Sequence, residues 1–400
     1  MPQISERGVI LPASAIRKLA PLADGAKARG IHIYHLNIGQ PDIPTPQVGL
    51  AVLQHIDRRI LEYSPSDGLP SVRRKFVEYY RRSGIEGLSP DEVIVTTGGS
   101  EALLFAFQAC LDVGDEVIMT DPGYANYISF AMQAGVVVRP IPTSIDNGFA
   151  LPPIAEFDKY IGPRTRAIIL CNPNNPTGYL YSRQELEALA ELVKRRDLFL
   201  ISDEVYREFR YSDQPYISAL SLAGIEQNVV MVDSVSKRYS ECGIRIGTLV
   251  TRNKEVRAAV MKSAQARLSP PLLGQLVAEA SIDVPEAYMK EVYADYIERR
   301  DVLIEGLNRI PGVYAPLPRG AFYTMAQLPV DDADRFCEWM LRDFSWQGET
   351  VMMAPGSGFY TDPSLGKKQV RIAYVLNKEA IARALVILEK ALEQYPGREK

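Results

Sequence analysis

Val229-Val230-Met231-Val232-Asp233-Ser234-Val235-Ser236-Lys237 decides the fold: four apolar residues run straight into hydroxyls and a single amine. An uninterrupted apolar run this short reads as a strand buried on both faces, the kind found in parallel sheets. The polar residues that follow then stand at the carboxyl end of that strand, where ligands of open α/β sheets bind. One lysine among hydroxyls is the setting in which an amine condenses with an aldehyde cofactor. Taken alone, Ser-x-Ser-Lys also fits an ordinary surface turn.

Working outward, the same pattern recurs. Glu92 to Thr96, Glu116 to Thr120, Val136 to Ile141, Ala167 to Leu170, Phe199 to Ser202 and Gly247 to Thr251 are further runs of strand length, each followed by Gly, Pro, Asn or Asp. Longer helical patterns separate them; Arg183 to Arg196, for example, places Leu186, Leu189, Ala190 and Val193 on one face. Alternation of this kind predicts an α/β fold, a mainly parallel sheet covered by helices on both faces. From about Ala287 the pattern changes to long helices, with Tyr293, Ile297 and Leu303 to Leu307 in one and Glu379 to Tyr395 in the last. The expected organisation is a large domain over residues 46–286 and a smaller α+β domain built from 287–400 with the first 45 residues.

Composition excludes several functions. The 400 residues are 46% hydrophobic and 24% charged, with a formal charge of -4 and no long basic run, so neither disorder nor a nucleic-acid footprint is expected. No apolar stretch approaches the ~18 residues of a membrane helix. Residues 1–10 lack the apolar centre of a secretory signal. Cys110, Cys171, Cys242 and Cys337 are too scattered for a metal site or disulfide framework, which points to the cytoplasm and to no metal.

Other segments could supply the chemistry around Lys237. Thr97-Gly98-Gly99-Ser100-Glu101 joins a strand to a helix, so free backbone N–H groups and a hydroxyl would face an anion such as phosphate. A tight turn with Ser100 as N-cap fits the same residues. Asn172-Pro173-Asn174-Asn175-Pro176-Thr177-Gly178 demands a fixed loop rich in side-chain amides at another strand end. Asp203, ending Leu200-Ile201-Ser202, is a carboxylate in apolar surroundings, suited to a pyridinium N–H or to a helix cap or ion pair. Arg245 and Arg371 lie among apolar neighbours, where a guanidinium needs an anion, either a ligand or a structural salt bridge.

Taken in this order, together with Asn37-Ile38-Gly39-Gln40-Pro41-Asp42, Tyr63 and Pro122-Gly123-Tyr124, the motifs resemble those of the class I aminotransferases, the fold type I pyridoxal 5'-phosphate enzymes related to aspartate aminotransferase. The resemblance spans nearly the whole chain. It implies that Lys237 holds the cofactor covalently and moves the substrate proton, that Asp203 keeps the pyridine nitrogen protonated, and that Asn175 and Tyr206 bond the ring oxygen while Tyr124 stacks on the ring. Gly99, Ser100, the backbone of Glu101, Ser234, Ser236 and Arg245 would hold the phosphate. Tyr63 would reach it from a neighbouring subunit, which implies a homodimer with shared sites. Arg371 would clamp the substrate α-carboxylate and Gly39 would close over it. The implied reaction moves an amino group from an L-amino acid to a 2-oxo acid such as 2-oxoglutarate, in two half-reactions with ping-pong kinetics.

The sequence departs from the pattern at the distal substrate group. The position aligned with a dicarboxylate-binding arginine is Ala264, and Glu101 stands where some relatives carry lysine. Arg267 is a candidate replacement, and the donor is expected to be aspartate-like or aromatic, with small neutral donors also open. A β-lyase or other Cα-bond chemistry on the same fold is the alternative reading.

Overall fold

The computed structural model describes residues 2–212 and 215–399. In chain order its strands are β1 (His32–His35), β2 (Val93–Thr96), β3 (Glu116–Asp121), β4 (Val137–Pro142), β5 (Thr165–Cys171), β6 (Phe199–Asp203), β7 (Val229–Ser234), β8 (Gly247–Val250), β9 (Tyr323–Gln327), β10 (Glu349–Met352), β11 (Ala354–Pro355) and β12 (Gln369–Ala373). Seven of them form one sheet in the order β2-β8-β7-β6-β5-β3-β4. These are the seven runs read from the sequence, with ends that agree to within two residues. β8 runs antiparallel to both neighbours and the other strands run parallel, so the sheet is mainly parallel as expected.

Burial on both faces explains why the runs are apolar throughout rather than alternating. Ala167, Ile169, Ile201, Val230 and Val232 enter one core, while Ile168, Leu170, Leu200 and Met231 enter the other. The helix Arg183–Arg196 covers the second core with Leu186, Leu189, Ala190, Leu192 and Val193, and a reciprocal Ser182–Glu185 capping box sets its start.

The C-terminal part adds a three-stranded antiparallel sheet in the order β11-β12-β9 and the helices Glu286–Arg309 and Lys378–Gln394. β1 pairs in parallel with β10, so residues 32–35 are tied to residues 349–352. That pairing brings the Asn37 to Asp42 loop against the carboxyl ends of the large sheet. No helix among the described residues is long and apolar enough to cross a membrane, and no group of His, Cys, Asp or Glu among them is arranged to hold a metal.

Candidate active site

The carboxyl ends of β5, β6 and β7 and the start of the helix Gly98–Cys110 open onto a cavity of about 560 Å³. Lys237, Asp203, Tyr206, Asn175, Arg371 and Gly39 all line it. So do Gly99, Ser100, Ser234, Ser236, Arg245 and Tyr124. Residues separated by more than 300 positions in the chain thus meet at the sheet's ligand-binding edge.

Lys237 leaves the short helix Val235–Arg238, whose start is fixed by Ser234 Oγ accepting from Ser236 N–H at 3.1 Å. Its amine donates to the Gly39 carbonyl at 2.8 Å and lies 3.9 Å from Cys242 Sγ. Removal from water holds its pKa below the ordinary lysine value. A neutral amine is a nucleophile and a base, and burial is the means of obtaining one. The turn is braced by the next residue, Arg238, which is buried, ion-paired with Asp233 and stacked 4.2 Å from the Tyr79 ring centre.

Asp203 ends β6 with its carboxylate buried. It accepts from Tyr127 Oη at 2.6 Å and from Val205 N–H at 3.3 Å, and it has no cationic partner among the described residues. Burial pushes its pKa up to about 6, against the pull of the Tyr127 hydrogen bond. It is therefore neither the helix cap nor the ion-pair member that its sequence also allowed. An acid so placed is completed by a cation entering the cavity.

At the other end, Asn175 donates to Tyr206 Oη at 3.3 Å and accepts from Arg371 Nη1 at 3.1 Å. Arg371 also donates to the Asn37 carbonyl and lies 4.5 Å above the Tyr323 ring. Its Nε is buried without a partner, and burial lowers the pKa of the guanidinium. Neither Arg371 nor Arg245 is paired with a carboxylate among the described residues, so the structural salt bridge fits neither. Among the described residues Arg245 donates only to the Cys242 carbonyl, at 3.0 Å.

The anion-binding end combines a helix N-terminus with hydroxyls. Ser234 Oγ and Ser236 Oγ are 2.9 Å apart. Ser100 lies inside the first turn of the helix, and Thr97 occupies the N-cap position without a side-chain cap, so Ser100 is not the N-cap. Gly98 has φ +76°, and a Cβ there would stand 2.5 Å from Arg245 Nη2, so only glycine lets the guanidinium close on the turn. Gly39 is equally constrained, because a Cβ would meet the Tyr323 hydroxyl at 1.6 Å.

Some expected residues lie elsewhere. The Glu101 side chain accepts from Thr97 N–H at 2.8 Å and from Arg267 at 2.6 Å, and Glu101 does not line the cavity. Arg267 is held by Glu101 and the Ser66 carbonyl, so it is not the replacement for a distal-carboxylate arginine. Ala264 is fully buried in the core. Tyr63 is 77% exposed and stands outside the cavity of its own protomer. Conversely, Tyr127 and Tyr323 touch the site residues but carried no assigned role in the sequence. For Tyr127 the one available signal is its i+3 spacing from Tyr124, whose ring it meets edge-on at 5.3 Å.

The sequence matches the family model described as aminotransferase class I and II over residues 31–388. The chain belongs to this family. Among its relatives, the aspartate/prephenate aminotransferase of Thermus thermophilus is 33% identical over 95% of this chain and 97% of its own length. The aspartate aminotransferase of Pyrococcus horikoshii is 29% identical over 98% and 97%. Among solved structures, the aspartate aminotransferase of Thermotoga maritima superposes with a TM-score of 0.89 at 30% identity, covering 98% of this chain and all of the other. The protein is thus an aminotransferase with the fold type I architecture, and the cavity is the natural place for its chemistry.

Proposed function

We propose that this aminotransferase uses pyridoxal 5'-phosphate, bound at Lys237, to move the amino group of an L-amino acid to 2-oxoglutarate. The observation that carries the reading is that Lys237, Asp203 and Arg371 face one cavity of about 560 Å³. The residues fit that cofactor. A helix N-terminus, Ser100, Ser234, Ser236 and Arg245 suit its phosphate; an unpaired buried acid at Asp203 suits its ring nitrogen; Asn175 and Tyr206 suit its ring oxygen. When bound, the cofactor supplies an aldehyde to take up the amino group and a ring that accepts the electrons left at Cα.

The chain's own residues do the rest. Lys237, whose amine burial shifts toward the neutral form, would take the proton from the substrate Cα and return it to a neighbouring carbon. Asp203 keeps positive charge on the ring nitrogen. Arg371 fixes the substrate α-carboxylate through a planar fork whose Nε still lacks a partner. Gly39, on the loop that meets Lys237, closes the site against water. The protein works in the cytoplasm as a homodimer in which the exposed Tyr63 reaches the partner's phosphate site.

The decisive experiment incubates purified protein with pyridoxal 5'-phosphate and a panel of amino donors plus 2-oxoglutarate, and follows glutamate. Aspartate, glutamate-type or aromatic donors should yield it, and Lys237→Ala should lose both the visible absorbance and the turnover. Ammonia and pyruvate released without an acceptor would instead identify a lyase. Unchanged turnover in Lys237→Ala would remove the lysine from the mechanism.

A further inference from the structure

The N-terminal segment brings to this cavity a cation that none of these roles uses. Ser14, Ile16 and Arg17 line it beside Ile38 and Gln40. The segment is pinned in place: Ala15 and Leu19 are buried, the Arg17 N–H bonds to the Ser14 carbonyl at 3.1 Å, and Asn37 Nδ2 donates to the Ile16 carbonyl at 3.2 Å. Because the Asn37 carbonyl itself accepts from Arg371, one residue links the proposed α-carboxylate clamp to the backbone just before Arg17. Lys18, the next residue, is neutralised by Asp334. The Arg17 guanidinium has no hydrogen-bond or ion-pair partner among the described residues.

The cations around the cavity can be assigned one by one. Lys237 belongs to the cofactor carbonyl carbon, Arg245 to the phosphate and Arg371 to the α-carboxylate, which leaves Arg17 over. Asp203 is the one carboxylate among the described residues lining the cavity, and it would be taken by the ring nitrogen. Since Ala264 is core and Arg267 is held by Glu101, no other arginine considered for a second substrate acid faces the site. Ile16 and Ile38, both lining, offer apolar contact to the methylenes between two acids.

We propose that Arg17 is a specificity-determining residue that binds the distal carboxylate of dicarboxylic amino acids and 2-oxo acids. The proposal rests on the aminotransferase reading of the site and names its substrate class. A carboxylate is the ligand that a planar, unpaired guanidinium recognises best, and removing one charge-assisted contact weakens a ligand by about 10- to 100-fold.

Two measurements on the cofactor-loaded protein test it. Calorimetry with maleate, which has two carboxylates and no amine to react, reads the subsite without turnover. The ratio of kcat/KM for glutamate to that for alanine reads it during turnover. Arg17→Met should weaken maleate and lower the ratio by the same factor of about 10 to 100, and Arg17→Lys should recover part of both. Because Arg17 is exposed, these variants are expected to keep the thermal midpoint of the wild type, which a melt checks. A wild type that does not bind maleate, or an Arg17→Met protein within twofold of wild type in both readouts, reduces Arg17 to a solvated surface charge and overturns the proposal. A wild type that binds maleate through Arg17 yet transfers no amino group from any donor refutes the proposed reaction and leaves the carboxylate subsite standing.

Discussion

Asp203 and Asp233 stand at the carboxyl ends of adjacent strands, β6 and β7, both are buried, and they serve opposite ends. Asp233 is enclosed by partners: the Arg238 guanidinium, the Tyr80 hydroxyl at 3.0 Å and the Ser234 N–H at 2.7 Å. Asp203 receives one phenol and one backbone N–H, and its remaining capacity faces the cavity. Burial by itself therefore does not mark a functional acid. Burial raises the Asp203 pKa to about 6, and with no cationic partner among the described residues to oppose it the carboxylate is open to a cation from solution. Asp233 shows how the fold treats an acid that it needs only for structure.

Neutralising each acid should separate the two roles. Asp233→Asn leaves Arg238 buried without a counterion, so unfolding in urea should show a loss of about 3–5 kcal/mol. A loss below about 1 kcal/mol would mean that the pair contributes little beyond its hydrogen bonds. Asp203→Asn should instead lower transamination by roughly 10²–10³-fold, the scale for removing one group that stabilises developing charge. Its effect on the cofactor-free fold has the opposite sign. The folded carboxyl titrates at about 6 and the unfolded one near the ordinary 3.8, so the folded state holds the extra proton between those values. Stability then falls as pH rises through that window, and the whole penalty is present above pH 6. The variant should gain about 2–3 kcal/mol at pH 8 and nothing at pH 3.5, at 1.36 kcal/mol for each pKa unit. Equal stability changes at both pH values would show that burial does not strain Asp203.

The sequence made this contrast only half visible. The strands were legible because apolar runs buried on both faces have no polar alternation to confuse them, as in Ile168, Ile169 and Leu170. Lys237, Asp203, Asn175 and Arg371 were legible chiefly through the order of motifs shared with class I aminotransferases, since each residue alone also fitted a turn, a cap or a salt bridge. The partners of these groups were not legible. Tyr127 meets Asp203 across 76 positions of chain and Tyr323 meets Tyr206 across 117, contacts that no local pattern encodes. The Glu101–Arg267 pair likewise depends on which way two side chains turn, and for that reason Arg267, a candidate for the distal substrate acid by sequence, is held by Glu101 instead. Arg17 sits in a segment without strong periodicity, and the Asn37–Ile16 contact and the burial of Ala15 and Leu19 that bring it to the cavity are long-range.

Tyr127 offers the finest test of the comparison, because among the described residues it is the side chain that donates to Asp203, as Tyr80 and Arg238 donate to Asp233. Its hydroxyl donates to the charged carboxylate and so opposes the burial that raises the pKa. Tyr127→Phe removes that donor while keeping the ring packed against Tyr124. Asp203 should then titrate above about 6, and the pH range over which the cofactor-free protein loses stability should extend upward. At pH 8 the cost should be about 1.5–3 kcal/mol, the value of a hydrogen bond to a charged group, and it should shrink at pH 4, where the acid is neutral. The same substitution made in Asp203→Asn should show little pH dependence, since no charge remains to be stabilised. A loss that is equal at both pH values and persists in the double variant would assign Tyr127 to packing alone, and the carboxylate would owe its pKa to burial without any tuning from its neighbour.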